Sequence, residues 1–403
     1  MKQIYMDHHA TTPLDREVLD AMMPALTSEF GNPASNTHEY GHAARYMVDA
    51  ARHKVAKLIG AKSPDEIIFT SGATEADNLA LKGIAYAAKD KQNRNIVTLA
   101  IEHKAVLETA KRLEKENVEI RFVKMDQFGV ADLDDLGSKI DKNTILVSIQ
   151  AANSEIGTIQ PVKAIGAIAK EKNIPFHTDA VQALGRFDID VLRDNIDMLS
   201  ISAHKMYGPK GIGALYVRKG IKLVPIIEGG GHERNMRSGT LNVPGIVGLG
   251  KAAEVAKRDL RSESERIRVL RNRLEEGIKD RISDVVLNGH PTQRLPNNLN
   301  MAFSFVEGES LILACRQVAL SSGSACTSTS LQSSYVLKAL NVPDYLAHSS
   351  LRFGLGKSNT EEHIDIVIDL LENGVTRLRE MSPLYDMAKE GVNIEHVRWS
   401  HHH

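Results

Sequence analysis

The chain has 403 residues, of which 42% are hydrophobic and 25% charged, with 50 Lys and Arg against 51 Asp and Glu. That length suits two or three packed units, and a formal net charge of −1 argues against a protein that works by gripping phosphate backbones, which needs concentrated positive charge. No apolar stretch approaches the ~20 residues of a membrane-spanning helix, and Cys315 and Cys326 make neither a disulfide framework, nor a zinc ligand set, nor a Cys-x-x-Cys pair.

The opening Met1-Lys2-Gln3-Ile4-Tyr5-Met6-Asp7-His8-His9 lacks the basic, apolar and small-residue blocks of a secretory leader, so a cytoplasmic location is expected. Further along, Ile67-Ile68-Phe69, Asn95 to Leu99, Thr144 to Ile149 and Met198 to Ile201 read as short buried strands. Amphipathic stretches at 39–59, 103–116 and 161–172 lie between them; in the first, Ala43, Met47, Ala51, Val55 and Leu58 keep helical spacing. Continuous apolar strands alternating with helices predict an α/β fold with a mostly parallel sheet covered on both faces. A long charged helical stretch over 250–280 reads as a spine. Strands near 284–288, 298–304 and 350–354, with helices near 308–318 and 360–379, then predict a smaller α+β unit.

Three segments carry chemistry. Thr70-Ser71-Gly72-Ala73-Thr74-Glu75-Ala76 closes a strand and opens a helix, a place where small residues, hydroxyls and a helix N-terminus favour an anion; a plain Ser- or Thr-capped helix would look the same. It matches neither the dinucleotide fingerprint nor the P-loop. Asp179, in His177-Thr178-Asp179-Ala180-Val181-Gln182, stands at the carboxyl end of a strand, where open α/β sheets bind ligands, although it would also serve as a helix cap. Lys205 follows an apolar strand in the loop Ser202-Ala203-His204-Lys205-Met206-Tyr207-Gly208; a held lysine there can form a Schiff base, whereas Lys210 reads as a solvated turn residue. Cys326 sits among small polar residues, Ser321-Ser322-Gly323-Ser324-Ala325-Cys326-Thr327-Ser328, while Cys315 lies in an apolar helical run. The first is expected to be accessible and the second an inert core thiol.

The hydroxyl-rich helix start, the strand-end aspartate and Lys205, in this order, resemble the fold-type I enzymes dependent on pyridoxal phosphate. The loop around Cys326 narrows this to the cysteine desulfurases of the iron–sulfur cluster assembly type. That likeness also rests on Asp7-His8-His9-Ala10-Thr11-Thr12-Pro13, Gly31-Asn32-Pro33-Ala34-Ser35, Glu102-His103, Ala152-Asn153-Ser154-Glu155-Ile156-Gly157, Arg237-Ser238-Gly239-Thr240 and Ser350-Leu351-Arg352. The tail from Ser382-Pro383-Leu384-Tyr385 to His402 is similar to the family's native end. The resemblance implies a large seven-stranded domain over 15–260 and a small α+β domain from 1–14 and 261–403, which carries a mobile cysteine loop at about 321–334.

Carried over residue by residue, the resemblance implies that Ala73, Thr74, Ser202 and His204 hold the cofactor's phosphate, with Thr240 reaching across from the partner of a homodimer. Asp179 pairs with the pyridine nitrogen, Gln182 donates to the ring oxygen, and Lys205 binds the cofactor covalently. His103 stacks on the ring and serves in proton transfer. Asn153 and Arg352 orient the carboxylate of the substrate, L-cysteine, and Cys326 receives the sulfur as a persulfide. The implied acceptors are an iron–sulfur scaffold protein and, through transfer-RNA thiolation, others. The free enzyme would hold no metal, the Cys326 persulfide ligating a cluster only with the scaffold; direct nucleic-acid or membrane binding is not expected. Asp7-His8-His9 departs from the family's usual Asp-Asn-Asn or Asp-Asn-His, and His8 is expected near the substrate pocket. Two other classes remain: a selenocysteine lyase or aminotransferase on the same fold, and a non-catalytic assembly scaffold.

Overall fold

The computed structural model describes residues 3–322 and 334–391. Its strands, in chain order, are β1 (Ile4–Tyr5), β2 (Ile67–Thr70), β3 (Asn95–Thr98), β4 (Glu119–Phe122), β5 (Thr144–Ser148), β6 (Phe176–Asp179), β7 (Met198–Ser202), β8 (Gly213–Val217), β9 (Val285–Leu287), β10 (Asn298–Phe303), β11 (Val318–Ala319), β12 (Ser321–Ser322) and β13 (Ser350–Gly354). The helices are α1 (Arg16–Thr27), α2 (Glu39–Ile59), α3 (Ala73–Ala87), α4 (Lys104–Glu114), α5 (Leu133–Lys139), α6 (Val162–Glu171), α7 (Val243–Arg281), α8 (Gly308–Ala314), α9 (Tyr335–Ala339), α10 (Asp344–His348), α11 (Glu361–Glu380) and α12 (Pro383–Lys389).

Among the described residues, seven strands form the larger sheet in the order β2-β8-β7-β6-β5-β3-β4. The pairings are parallel except for the two made by β8, which runs against its neighbours. The mostly parallel sheet expected from the sequence is thus present. Strands such as β5 and β7 are buried along their length, which is why they read as unbroken apolar runs. Successive residues face opposite layers. Ile67, Phe69, Val97, Val147 and Tyr216 pack with α1, α2, α6 and the start of α7; Ile68, Ile96, Leu146, Leu215 and Val217 pack with α3 and α4.

Helix α2 covers 39–59 as expected and ends on Gly60 at φ 69, the left-handed C-cap that glycine adopts without steric cost. Its buried stripe is Ala44, Val48, Ala51 and Val55, with Ala43 and Met47 half-buried on the flank. Helix α7 begins earlier than the expected spine, at Val243. Asn242 caps it by accepting from the Gly245 N–H at 3.1 Å, and a proline stands in its first turn. The helix expected near 308–318 stops at Ala314, because Val318–Ala319 is drawn off to pair with β1.

A third apolar cluster joins Ile4 and Met6 to the later part of α7 and to β10, β13, α8 and α11. It surrounds the antiparallel sheet β12-β13-β10-β9. Val336, Leu337 and Ala347 nevertheless pack with the larger sheet's cluster. No helix among the described residues is long and apolar enough to cross a membrane.

Cys315 is 1% exposed in the third cluster, its thiol donating to the Leu370 carbonyl at 3.5 Å. Burial pushes that thiol up to about 11, far from the thiolate that reacts. A thiol reagent applied to the native protein at about pH 8 should therefore leave Cys315 unmodified until denaturant is added. Peptide mapping showing rapid native-state labelling of Cys315 would contradict its placement.

Candidate active site

Strands β2, β3, β5, β6 and β7 end at one edge of the sheet, where an open α/β fold leaves backbone and loop groups free to meet a ligand. Asp179 at the end of β6 and the segments that follow the strands, with Thr74, His103, Gln150 and Lys205, face a cleft of about 700 Å³. Asp7, His9 and Arg352 form part of its opposite wall.

At one end, α3 starts without a side-chain cap, so first-turn N–H groups lack helical partners and carry partial positive charge. Ala73, Thr74, Ser202 and His204 line this end. His204 Nδ1 lies 3.1 Å from Thr11 Oγ1, and burial lowers the imidazole to about 4, keeping it neutral. Hydroxyls, a neutral ring and bare helix donors make a cup for a phosphate-like dianion.

Asp179 closes β6 in the same cleft. It accepts the Val181 N–H at 2.9 Å, and burial raises its pKa while His103 and Lys205 oppose the rise. Gln182 is locked by its neighbour: Oε1 meets His9 Nδ1 at 2.9 Å, and Nε2 donates to the His9 carbonyl at 3.2 Å. An amide oxygen only accepts, so the His9 proton sits on Nδ1 and the amide orientation is fixed. Burial holds His9 well below the usual histidine range.

His103 caps α4, its Nδ1 accepting the Ala105 N–H at 3.1 Å. The neutral ring therefore carries its proton on Nε2. Lys205 sits in a turn of 3₁₀ helix directly after β7 and donates to the carbonyls of His9 and Ala10. Arg352 donates through Nη2 to Asp7 Oδ1 at 2.9 Å and Ser321 Oγ at 2.8 Å, and through Nη1 to the Ser154 carbonyl at 3.3 Å. Among the described residues its buried Nε has no partner.

His8 is placed differently from expectation, and Asn153 and Thr240, the latter expected to serve a neighbouring subunit, are absent from the lining of this cleft. Asn153 lies between the lining residues Ala152 and Ser154. Its Nδ2 donates to the Ile101 carbonyl at 2.9 Å, and its Oδ1 accepts the Glu155 and Ile156 N–H groups; it shapes the loops that carry the site. Thr240 is exposed and does not line this cleft. His8, expected near the substrate, is buried beneath Gly356 with Nδ1 3.0 Å from the Gly354 carbonyl, and His9 faces the cleft instead. Cys326 lies outside the described residues.

Three buried acids, Asp77, Glu102 and Glu155, add to the residues expected from sequence. Asp77 has a visible signal: it falls on the apolar stripe of α3, in helical step with Leu81 and Ile84. The turn Glu233-Arg234-Asn235, three successive left-handed residues at φ 47, 55 and 64, has none. The Glu233 carboxylate pins that turn by accepting from Arg52 Nη1 and Nη2, at 2.8 and 2.6 Å, and from the Phe69 N–H at 2.7 Å. Just beyond it, Arg237 pairs with Glu75 in the first turn of α3 at 2.8 Å.

Residues 4–367 match the aminotransferase class-V family. "Cysteine desulfurase IscS" of Anaeromyxobacter dehalogenans (strain 2CP-C) is 52% identical over 404 residues, spanning 99% of each chain. A solved "NifS-like protein" superposes with a TM-score of 0.87 at 39% identity, covering 93% of this chain and 100% of that one. "SspA in complex with cysteine" superposes with a TM-score of 0.79 at 37% identity, covering 87% and 98%. The chain belongs to the class-V aminotransferase family and, within it, to the cysteine desulfurases.

Members of this family depend on pyridoxal phosphate, and the residues of the cleft fit that group. The uncapped start of α3 meets the needs of its phosphate, Asp179 those of a protonated ring nitrogen, and Lys205 those of its aldehyde.

Glu155 gives the site a pH signature. Burial raises its carboxyl from 4.5 to about 7, while Ser334 and Arg352 pull the other way. The folded chain therefore keeps a proton there that the unfolded chain releases above its ordinary value, so stability falls as pH rises from the ordinary carboxyl range to about 7. Glu155→Gln should remove up to about 3 kcal/mol of this decline. Urea midpoints on either side of that window test it, and equal slopes for wild type and variant would refute the assignment.

Proposed function

We propose that this enzyme takes the sulfur of L-cysteine onto Cys326 as a persulfide, releases L-alanine, and passes the sulfur to acceptor proteins. The observation that carries this reading is the meeting of Lys205, Asp179 and Arg352 in one cleft with the bare N-terminus of α3. When bound, pyridoxal phosphate supplies an electron sink for charge developing at the substrate Cα. Ala73, Thr74, Ser202 and His204 would hold its phosphate, Asp179 its ring nitrogen and Gln182 its ring oxygen.

The chain's own residues then divide the remaining work. The Arg352 guanidinium fixes the substrate carboxylate. Lys205 Nζ takes the Cα proton and later returns a proton to carbon. His103, with its mobile proton on Nε2, exchanges a proton with the thiol groups. The Cys326 thiolate attacks the substrate sulfur; a sulfur–sulfur bond forms, the carbon–sulfur bond breaks, and its electron pair stays with the carbon that becomes the alanine methyl. One thiol and one cysteine thus give one persulfide and one alanine.

A homodimer is part of this proposal, with the exposed Thr240 reaching the neighbour's phosphate cup. So are the division into 15–260 against 1–14 with 261–403, a cytoplasmic setting, and an iron–sulfur scaffold as the principal acceptor, with transfer-RNA thiolation as a further outlet.

Cys326→Ser should retain the cofactor and bind cysteine yet release no sulfide above background. In wild type, mass spectrometry after brief exposure to cysteine should find one extra sulfur, about 32 Da, on the Cys326 peptide, removable by a thiol reductant. Undiminished turnover in the serine variant would instead point to lyase chemistry.

Arg352→Ala should raise KM for cysteine and lower kcat/KM about 10²-fold, the scale of a lost charged contact. If Arg352 only neutralised Asp7, adding Asp7→Asn would restore activity; no restoration is expected.

A further inference from the structure

Helix α3 carries an acid that the reaction above leaves unused. Asp77 is 0% exposed, and among the described residues neither of its carboxyl oxygens has a hydrogen-bond partner of good geometry. His177 Nε2 stands 3.7 Å from its Oδ1, but that ring is held between Ser148 Oγ at 2.9 Å and Ser200 Oγ at 3.0 Å. Burial drops His177 to about 3, so it brings no positive charge. The Ser200 hydroxyl, which also meets His177 Nε2, is near enough to Asp77 to favour its charged form, against the larger opposing effect of burial. Asp77, Asp179 and His103 each place one polar side-chain atom within 4.8 Å of the others.

An ionised carboxylate with no cation and at most one shared hydroxyl beside it is strongly disfavoured in a protein interior, and it takes up a proton instead. Burial and the charge of Asp179 both push Asp77 well above the usual carboxyl range. Two carboxyls this close do not both ionise. Of the pair, Asp179 has the Val181 N–H and the charge of Lys205 to support an anion, so the proton falls to Asp77. Glu102, the remaining acid facing them, is likewise raised by burial, and its Oε2 has no partner.

We propose that Asp77 is a positioning residue that stays protonated at neutral pH and donates its O–H to the Asp179 carboxylate, keeping Asp179 the anion that faces the cofactor's ring nitrogen. The inference rests on the reading of Asp179 given above. Asp77, Asp179 and the ring nitrogen are three basic sites sharing two protons. With one held on Asp77, the other belongs to the ring. An ionised Asp77 would draw that second proton back onto Asp179 and weaken the pull on the substrate Cα.

The test uses the apoprotein and its reloading. In infrared difference spectra at about pH 8, Asp77→Asn should remove one carbonyl stretch of a protonated, unexposed carboxylic acid. Fluorescence titration with pyridoxal phosphate should find Asp77→Asn, which keeps a neutral donor, within about threefold of wild type at every pH. Asp77→Leu loses the donor, so Asp179 titrates higher; its affinity should fall about tenfold at about pH 6 and recover toward pH 9. An ionised Asp77 reverses the sign: no band is lost, and Asp77→Asn binds more tightly at low pH. Asp179→Asn separates the two readings. Unchanged affinity in that variant removes the ring-nitrogen role and this one with it. Weakened affinity there, with wild-type behaviour in Asp77→Leu, overturns the role of Asp77 alone.

Discussion

The ion pair between Asp7 and Arg352, side chains 19% and 9% exposed, sets the geometry of much of the cleft. It fastens the N-terminal segment along β13, where the His8 N–H meets the Gly354 carbonyl at 3.1 Å and the Gly354 N–H meets that of Met6 at 2.7 Å. Once the segment lies there, His9 falls beneath Gln182, and the carbonyls of His9 and Ala10 fall onto Lys205. Ser321, directly opposite Arg352 in the sheet, joins the same pair through its hydroxyl. Removing one partner of a fully buried pair typically costs about 3–5 kcal/mol, an upper bound for this part-buried one. Here the loss would also release the carbonyls that aim Lys205, so binding, amide orientation and lysine placement depend on one contact.

The parts of the site that the sequence displayed are those that punctuate strands. Thr74 and Lys205 come shortly after buried strands and Asp179 closes one, and a change from apolar to small or polar residues marks a strand's end whatever packs around it. The parts it hid depend on partners far along the chain. His8 and His9 look equivalent in sequence; only the bridge from Asp7 to Gly354 decides which one turns into the cleft. Asn153 carries the chemistry of a ligand contact, but its bonds to backbone groups of two loops have no signal in the sequence. Glu102 and Glu155 lie in loops with no helical or strand period around them, so nothing local announces their burial. Among strands, β4 was passed over because an exposed edge allows Glu119 and Arg121, and the direction of β8 is not encoded in an apolar run at all.

The Glu233 turn shows how a local cost is met at a distance. Left-handed backbone disfavours each non-glycine residue by about 1–2 kcal/mol, and here three occur in succession. Arg52 stacks 4.5 Å over the Phe69 ring and forks onto Glu233, while Arg234 donates to the Ile67 carbonyl at 2.9 Å. Strand β2 is thereby tied to the segment that ends in Arg237 and Thr240. Because Arg237 returns to Glu75, the phosphate cup and the segment proposed to serve the neighbouring subunit are built as one piece.

Helix α7 has a mechanical consequence. Its 39 residues extend about 58 Å at the usual rise. Val243, Ile246, Leu249 and Ala252 are seated in one core, and Ile267, Leu270, Leu274 and Ile278 in the other. A rod anchored at both ends has no hinge, and bending it would rupture backbone hydrogen bonds at its middle. The two halves therefore cannot swing apart to admit a substrate as clamshell enzymes do, and traffic in and out of the cleft falls to side chains and rim segments. The same rod joins their fates on denaturation: melting either core frays the other's share of the helix, so a half-assembled catalytic wall has no stable existence of its own.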